Sequence, residues 1–213
     1  MGTVSDRDNR RAAARAAIVS ALADLELDYD QPAPDVYVVR LPGEHKLWTT
    51  CSLVVGDHTL SLNAFVARRP DENHEAVYRW LLQRNTRLGS LAFALDHLGD
   101  VFLVGRLPLG LITAADVDQL LGEAVSSADS SFDQLLELGF AGAIRREWDW
   151  RASRGESLQN LAAFAHLIEK RDDSADGALD APVDGVPVNP APGVPIDAAD
   201  NPAGGVPAGK SES

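Results

Sequence analysis

The chain has 213 residues, 45% of them hydrophobic, and a formal net charge of -13. That length suggests one domain with appendages, and a folded part of about 170 residues buries roughly 70% of its unfolded surface, enough for a core without covalent staples. The charge argues against nucleic acid, whose binding rests on Lys and Arg neutralising phosphates, and against anionic membrane surfaces.

Residues from about Ser5 to Leu27 read as a helix, with Ile18, Leu22 and Leu25 at helical spacing and Val19 beside them. The run Ala12, Ala13, Ala14, Ala16, Ala17 adds propensity and is expected to add little burial. Pro32 and Pro34 end the helical region. A first strand follows at Asp35–Leu41, with Val36 and Val38 facing one way and Tyr37, Val39 and Leu41 the other. After the turn Pro42-Gly43-Glu44, a second strand spans Lys46–Val55. Leu47, Thr49, Cys51, Leu53 and Val55 share one of its faces, and Trp48, Thr50, Ser52 and Val54 the other. Gly56-Asp57 closes a hairpin onto a third strand, Thr59–Val66, which alternates Leu60, Leu62, Ala64 and Val66 against Ser61, Asn63 and Phe65.

A second helix spans Asp71–Asn85, with Val77, Trp80 and Leu81 as its apolar stripe. Leu91, Phe93 and Leu95 mark a fourth strand and Val101–Leu107 a fifth, joined by Asp96–Asp100. Thr113 and Asp116 are spaced as a capping box for a long third helix. Val117, Leu120, Leu121, Ala124, Val125, Ala128, Phe132, Leu135 and Leu136 form its apolar face. Ser126-Ser127 and Ser130-Ser131 weaken its middle, and Gly139 and Gly142 bracket its end. Shorter helices are expected at Ala143–Ala152 and at Ser157–Lys170, the latter with Leu158, Leu161, Ala165 and Ile168 in repeat. The expected organisation is a flexible N-terminus (1–11), an α+β domain (12–170) and a disordered acidic tail (171–213). In that tail Pro, Gly, Asp and Ala dominate and Gly-Val-Pro recurs at 185–187, 193–195 and 205–207.

No catalytic signature lies on these elements. Cys51 is the single cysteine, so no intrachain disulfide forms, and its place in an apolar strand suits a buried small hydrophobe. His45, His58, His74, His97 and His166 include no pair at metal spacing; four residues after His74 stands Tyr78, not a second ligand. Gly105–Gly110 contains Pro108 and bulky neighbours that forbid a phosphate nest. Neither a catalytic residue, a cofactor nor a metal is therefore assigned. Arg7, Arg10, Arg11 and Arg15 interrupt any signal-peptide core, and no apolar run approaches the ~20 residues of a spanning helix, so a soluble cytoplasmic protein is expected.

Two surfaces suggest binding. Arg145, Arg146, Trp148, Trp150 and Arg151 crowd residue types enriched at binding hot spots, the bland alternative being that a tryptophan packs on the sheet while the arginines pair with Glu147, Asp149 and Glu156. Arg84 and Arg87 could extend that patch. The second sheet face carries Tyr37, Val39, Trp48, Val54 and Phe65 among Thr, Ser and Asn. It needs a cover, whether C-terminal helices, a second subunit or a client.

Tyr78–Asn85, then Phe93–Asp96, then Gly99–Leu109 resemble the YbjN family of bacterial proteins, and Leu135–Phe140 with Arg145–Trp148 resemble its actinobacterial branch. The resemblance implies the fold of type III secretion chaperones: a five-stranded antiparallel sheet in the order α-β-β-β-α-β-β-α plus C-terminal helices. It also implies the family's label of sensory-transduction regulator. The function expected is a non-enzymatic protein-binding module, chaperone-like or regulatory, acting in sensory transduction or stress regulation. Its partner would be a protein still to be identified, and a homodimer is compatible. The competing reading is a small-molecule sensor or enzyme with a pocket between sheet and long helix.

Overall fold

The computed structural model describes residues 4–168, so the tail from 171 onward lies outside the described residues. Helix α1 (Val4–Asp24) is followed by strands β1 (Tyr29–Ala33), β2 (Val36–Pro42), β3 (Trp48–Val55) and β4 (Thr59–Ala67). Then come α2 (His74–Asn85), β5 (Leu91–Leu95), β6 (Val101–Pro108) and α3 (Ala114–Arg154). The strands form one antiparallel sheet in the order β1-β2-β3-β4-β6-β5. The class is α+β as expected, but the sheet has six strands rather than five. The added strand, β1, contains Pro32, and all five of its residues are exposed. Such a segment shows neither alternation nor apolar content, the two signals by which strands are read from sequence.

One face of the sheet is the core. Leu53, Leu60, Leu62, Ala64, Leu103 and Val101 are fully buried against Ile18 and Leu22 of α1, Val77 of α2, and Val117, Leu121 and Leu135 of α3. Register corrects one assignment: Tyr37 stands opposite Leu53 and Val39 opposite Cys51, so both face the core, and Val36 and Val38 face outward. Every one of these side chains is apolar or aromatic, so the strand's own pattern could not choose between the two parities. Leu47, expected in the strand, is 73% exposed in the preceding loop, where the Asp129 carboxylate holds the backbone N–H groups of His45 and Lys46. The alanines of α1 also do more than raise propensity. Ala14, Ala17 and Ala21 are buried while Val19 and Leu25 remain about 40% exposed.

Helix α3 is one uninterrupted run of 41 residues, opened by the expected capping box, in which Thr113 and Asp116 satisfy each other's backbone N–H. Gly139 and Gly142 do not end it. A Cβ on Gly139 would lie 2.9 Å from Cβ of Pro70, and the Gly139 carbonyl accepts from the backbone N–H groups of Asp71 and Glu72. Glycine is needed here for close approach, not for termination. Ser131, expected to weaken the helix, is fully buried and accepts a hydrogen bond from Arg84 Nε at 2.7 Å, with Ser130 taking another nitrogen of that guanidinium. The separate helix expected at Ala143–Ala152 is the continuation of α3. The segment after it forms a 3-10 turn at Gln159–Phe164; Phe164 at its end and Leu167 just beyond it, rather than the predicted leucine repeat, pack on Phe140, Ala141 and Ile144.

Candidate binding surface

Among the described residues, no element covers the second sheet face. Val36, Val38, Val54, Phe65, Phe102 and Val104 are half-buried there; Arg40, Thr50, Asn63 and Arg106 are exposed, and Trp48 is 49% exposed. Three cross-strand rows build the face. Phe65 and Phe102 stand opposite each other, with ring centroids 5.5 Å apart and nearly edge-on. Val38, Ser52, Asn63, Val104 and Ala92 form the central row, and Val36, Val54, Ser61 and Arg106 the third. The C-terminal segment, one of the covers considered, packs on α3 instead.

The two sheet edges are blunted in different ways. On β5, the Asn85 side chain accepts from Phe93 N–H at 2.7 Å and donates to Phe93 C=O at 3.2 Å. A side-chain amide thus takes the place of a neighbouring strand. On β1, Pro32 supplies no N–H, and the ladder slips between Asp30 and Ala33. Edges treated this way resist pairing with an added strand.

The arginine and tryptophan cluster lies at the far end of α3, and the structure uses much of it internally. Arg145 donates to the Leu167 carbonyl at 3.1 Å and holds the C-terminal segment. Arg151 donates to Glu147 at 2.7 Å and to the Ser157 carbonyl. Trp148 is half-buried, and Trp150 is 44% exposed beneath the Arg154 guanidinium at 4.6 Å. Arg146 is exposed. Arg84 does not extend this patch, because Ser130, Ser131 and the Trp80 ring occupy it.

At the rim between β2 and β3, the Lys46 ammonium sits over the rings of Phe65 (5.1 Å) and Phe132 (5.9 Å) and donates to the Phe65 carbonyl. Burial lowers its pKa to about 8. Its neighbour His45 is hydrogen-bonded through Nδ1 to the Asp133 carboxylate at 2.6 Å; that hydrogen bond, then the Asp133 charge, raises the imidazole pKa. On the core side, burial pushes the Cys51 thiol up to about 12, the opposite of nucleophile activation. Among the described residues no group of three His, Cys, Asp or Glu could hold a metal, and no helix is long and apolar enough to cross a membrane. Between sheet and α3 lie the buried side chains of Leu62, Leu103, Leu120, Leu121 and Leu135.

The fold and surface together define an α+β protein whose described helices all pack on one face of the sheet. The chain belongs to the YbjN family, described as "Putative bacterial sensory transduction regulator", which it matches over residues 14–137. It is 53% identical over 140 residues to an uncharacterized protein of Mycobacterium leprae, covering 66% of this chain and 74% of the relative. It is 52% identical over 155 residues to an uncharacterized protein of Mycobacterium tuberculosis, covering 70% and 85%. Among solved structures it is similar to a chain of the ExsC–ExsE complex (17% identity, TM-score 0.45, 59% of this chain and 95% of that one). A chain of the ExoU–SpcU complex from the type III secretion system of Pseudomonas aeruginosa is also similar (18% identity, TM-score 0.42, 57% and 96%).

Proposed function

We propose that this protein is a non-enzymatic binding adaptor whose body, residues 12–170, holds a protein partner on the open sheet face and through it serves a regulatory role. The observation that carries the reading is the patch of Val38, Val54, Phe65, Phe102 and Val104, which none of the described elements covers, beside a filled core. A half-apolar face of this kind is characteristic of interaction surfaces. The family description points toward regulation rather than toward a reaction. The end of α3, with exposed Trp150 and Arg146, is a second candidate surface, favoured by the residue types it displays.

Affinity purification from the native cell separates the two surfaces. The proposal expects proteins recovered with the full chain to be lost with Val54→Glu/Val104→Glu and retained with Trp148→Ala/Trp150→Ala. Loss with the tryptophan variant alone moves the site to α3. Equal recovery with both variants rejects both surfaces.

A further inference from the structure

Building on the open face as the binding surface, we infer that its partner is an extended, acidic protein segment, with carboxylates meeting Arg40 and Arg106 and apolar side chains between them. The charge distribution carries this. The chain holds 32 Asp and Glu against 19 Lys and Arg, yet strands β2 to β6 contain no Asp or Glu. Among the described residues the open face meets solvent, and its charges within those strands are the exposed Arg40 and Arg106. Asp30, opposite Val38 on β1, marks the acidic margin.

Neither arginine is already engaged. Arg11, Arg15, Arg68, Arg79 and Arg151 each hold a carboxylate. The side chains of Arg40 and Arg106 make no hydrogen bond or ion pair among the described residues, though each lines a concavity. Arg40 shares one of about 680 Å³ with Val38 and Trp48, and Glu26, Asp28 and Asp30 wall its β1 side. Arg106 shares one of about 800 Å³ with Val54, Asn63 and Val104. The two sites stand at opposite corners. Three strand spacings and four residues of rise separate them, which at ordinary sheet dimensions is about 20 Å, the length of roughly six extended residues. A segment crossing on that diagonal passes Ser52 and Asn63, with Phe65 and Phe102 on one flank and Val54 on the other.

The alternatives fit less well. A second copy placed face to face would set arginines against a surface whose central strands offer them no carboxylate, and each copy carries the same net charge. Nucleic acid meets two isolated arginines on a protein of charge -13, where phosphate binding needs many cations. Strand addition is opposed by Asn85 at one edge and Pro32 at the other, so the segment lies across the face rather than extending the sheet.

Selection from a displayed library of random 16-residue peptides tests this on the full-length chain, with Arg40→Glu/Arg106→Glu and Val54→Glu/Val104→Glu as variants. All four positions are outward-facing, and circular dichroism checks that each variant folds. The inference expects pools enriched in Asp and Glu with interspersed apolar residues. The selected peptides, measured by fluorescence anisotropy, should bind the arginine variant at least tenfold more weakly than the parent. No acidic enrichment, or affinities within twofold of the parent for the arginine variant, overturns it. Peptides without acidic bias that still lose binding to the valine variant overturn the acidic partner alone and leave the face as the site. Failure of the valine variant to weaken any peptide removes the face itself. A wild-type dimer in sedimentation that the valine variant abolishes replaces the acidic segment by a second copy.

Discussion

The two faces of one sheet differ in what their residues are free to be. On the core side, Leu53, Leu60, Leu62 and Leu103 are fully buried and interlock with α1 and α3. On the open side, valines and phenylalanines alternate with Ser, Thr, Asn and Arg and keep partial contact with water. Hydrophobicity alone does not separate the faces, since both carry valine and aromatic rings. Packing does, because three helices close over one and none of the described elements closes over the other.

The comparison breaks most easily at the core. Leu62→Ala should cost about 3 kcal/mol, the transfer term plus the cavity it leaves. Val104→Ala, on the open face of the neighbouring strand, should cost about 1 kcal/mol, having less buried area to lose. Urea unfolding measures both, and similar costs would mean that the open face is covered in solution.

The covering layer is tested next. Gly139→Ala puts a methyl group against Pro70 and should destabilise by about 2 kcal/mol through overpacking. Gly122→Ala in the same helix meets open space and should be neutral or stabilise by up to about 1 kcal/mol through helix propensity. Equal effects would show that α3 does not approach the segment before α2 as closely as described.

The smallest effect lies at the rim. Asp133 raises the His45 pKa above its ordinary 6.5, so the pair's contribution is complete below that value and is lost as pH rises through the higher folded value. Asp133→Asn should bring the His45 midpoint, followed by NMR, down toward 6.5. An unchanged midpoint would mean that the β2–β3 loop is not clasped to α3 through this pair.

Much of this was legible in the chain. Periodicity located both long helices and five of the strands, because residues such as Leu60, Leu62 and Ala64 repeat at two and Val117, Leu120, Leu121 and Ala124 at three and four. The capping box of Thr113 and Asp116 is local chemistry, carried by two residues three apart. What escaped were the features that depend on a partner distant in sequence. Gly139 reads as a stop signal until Pro70 is seen beside it. Ser130 and Ser131 read as weakness until Arg84 reaches them. Arg145 and Arg151 look free for a partner until the Leu167 and Ser157 carbonyls and Glu147 are found.

The amino-acid order by itself determined the kinds of elements, their sequence along the chain and the acidic balance, since each follows from local spacing, propensity and count. Only the tertiary structure decided which way Tyr37 and Val39 face, that a proline-containing segment becomes a sixth strand, and that Arg40 and Arg106 share one face of strands that carry no carboxylate. Strand register and helix placement are set by contacts between residues far apart in sequence, and a strand whose two faces are both apolar carries no record of which one water will reach.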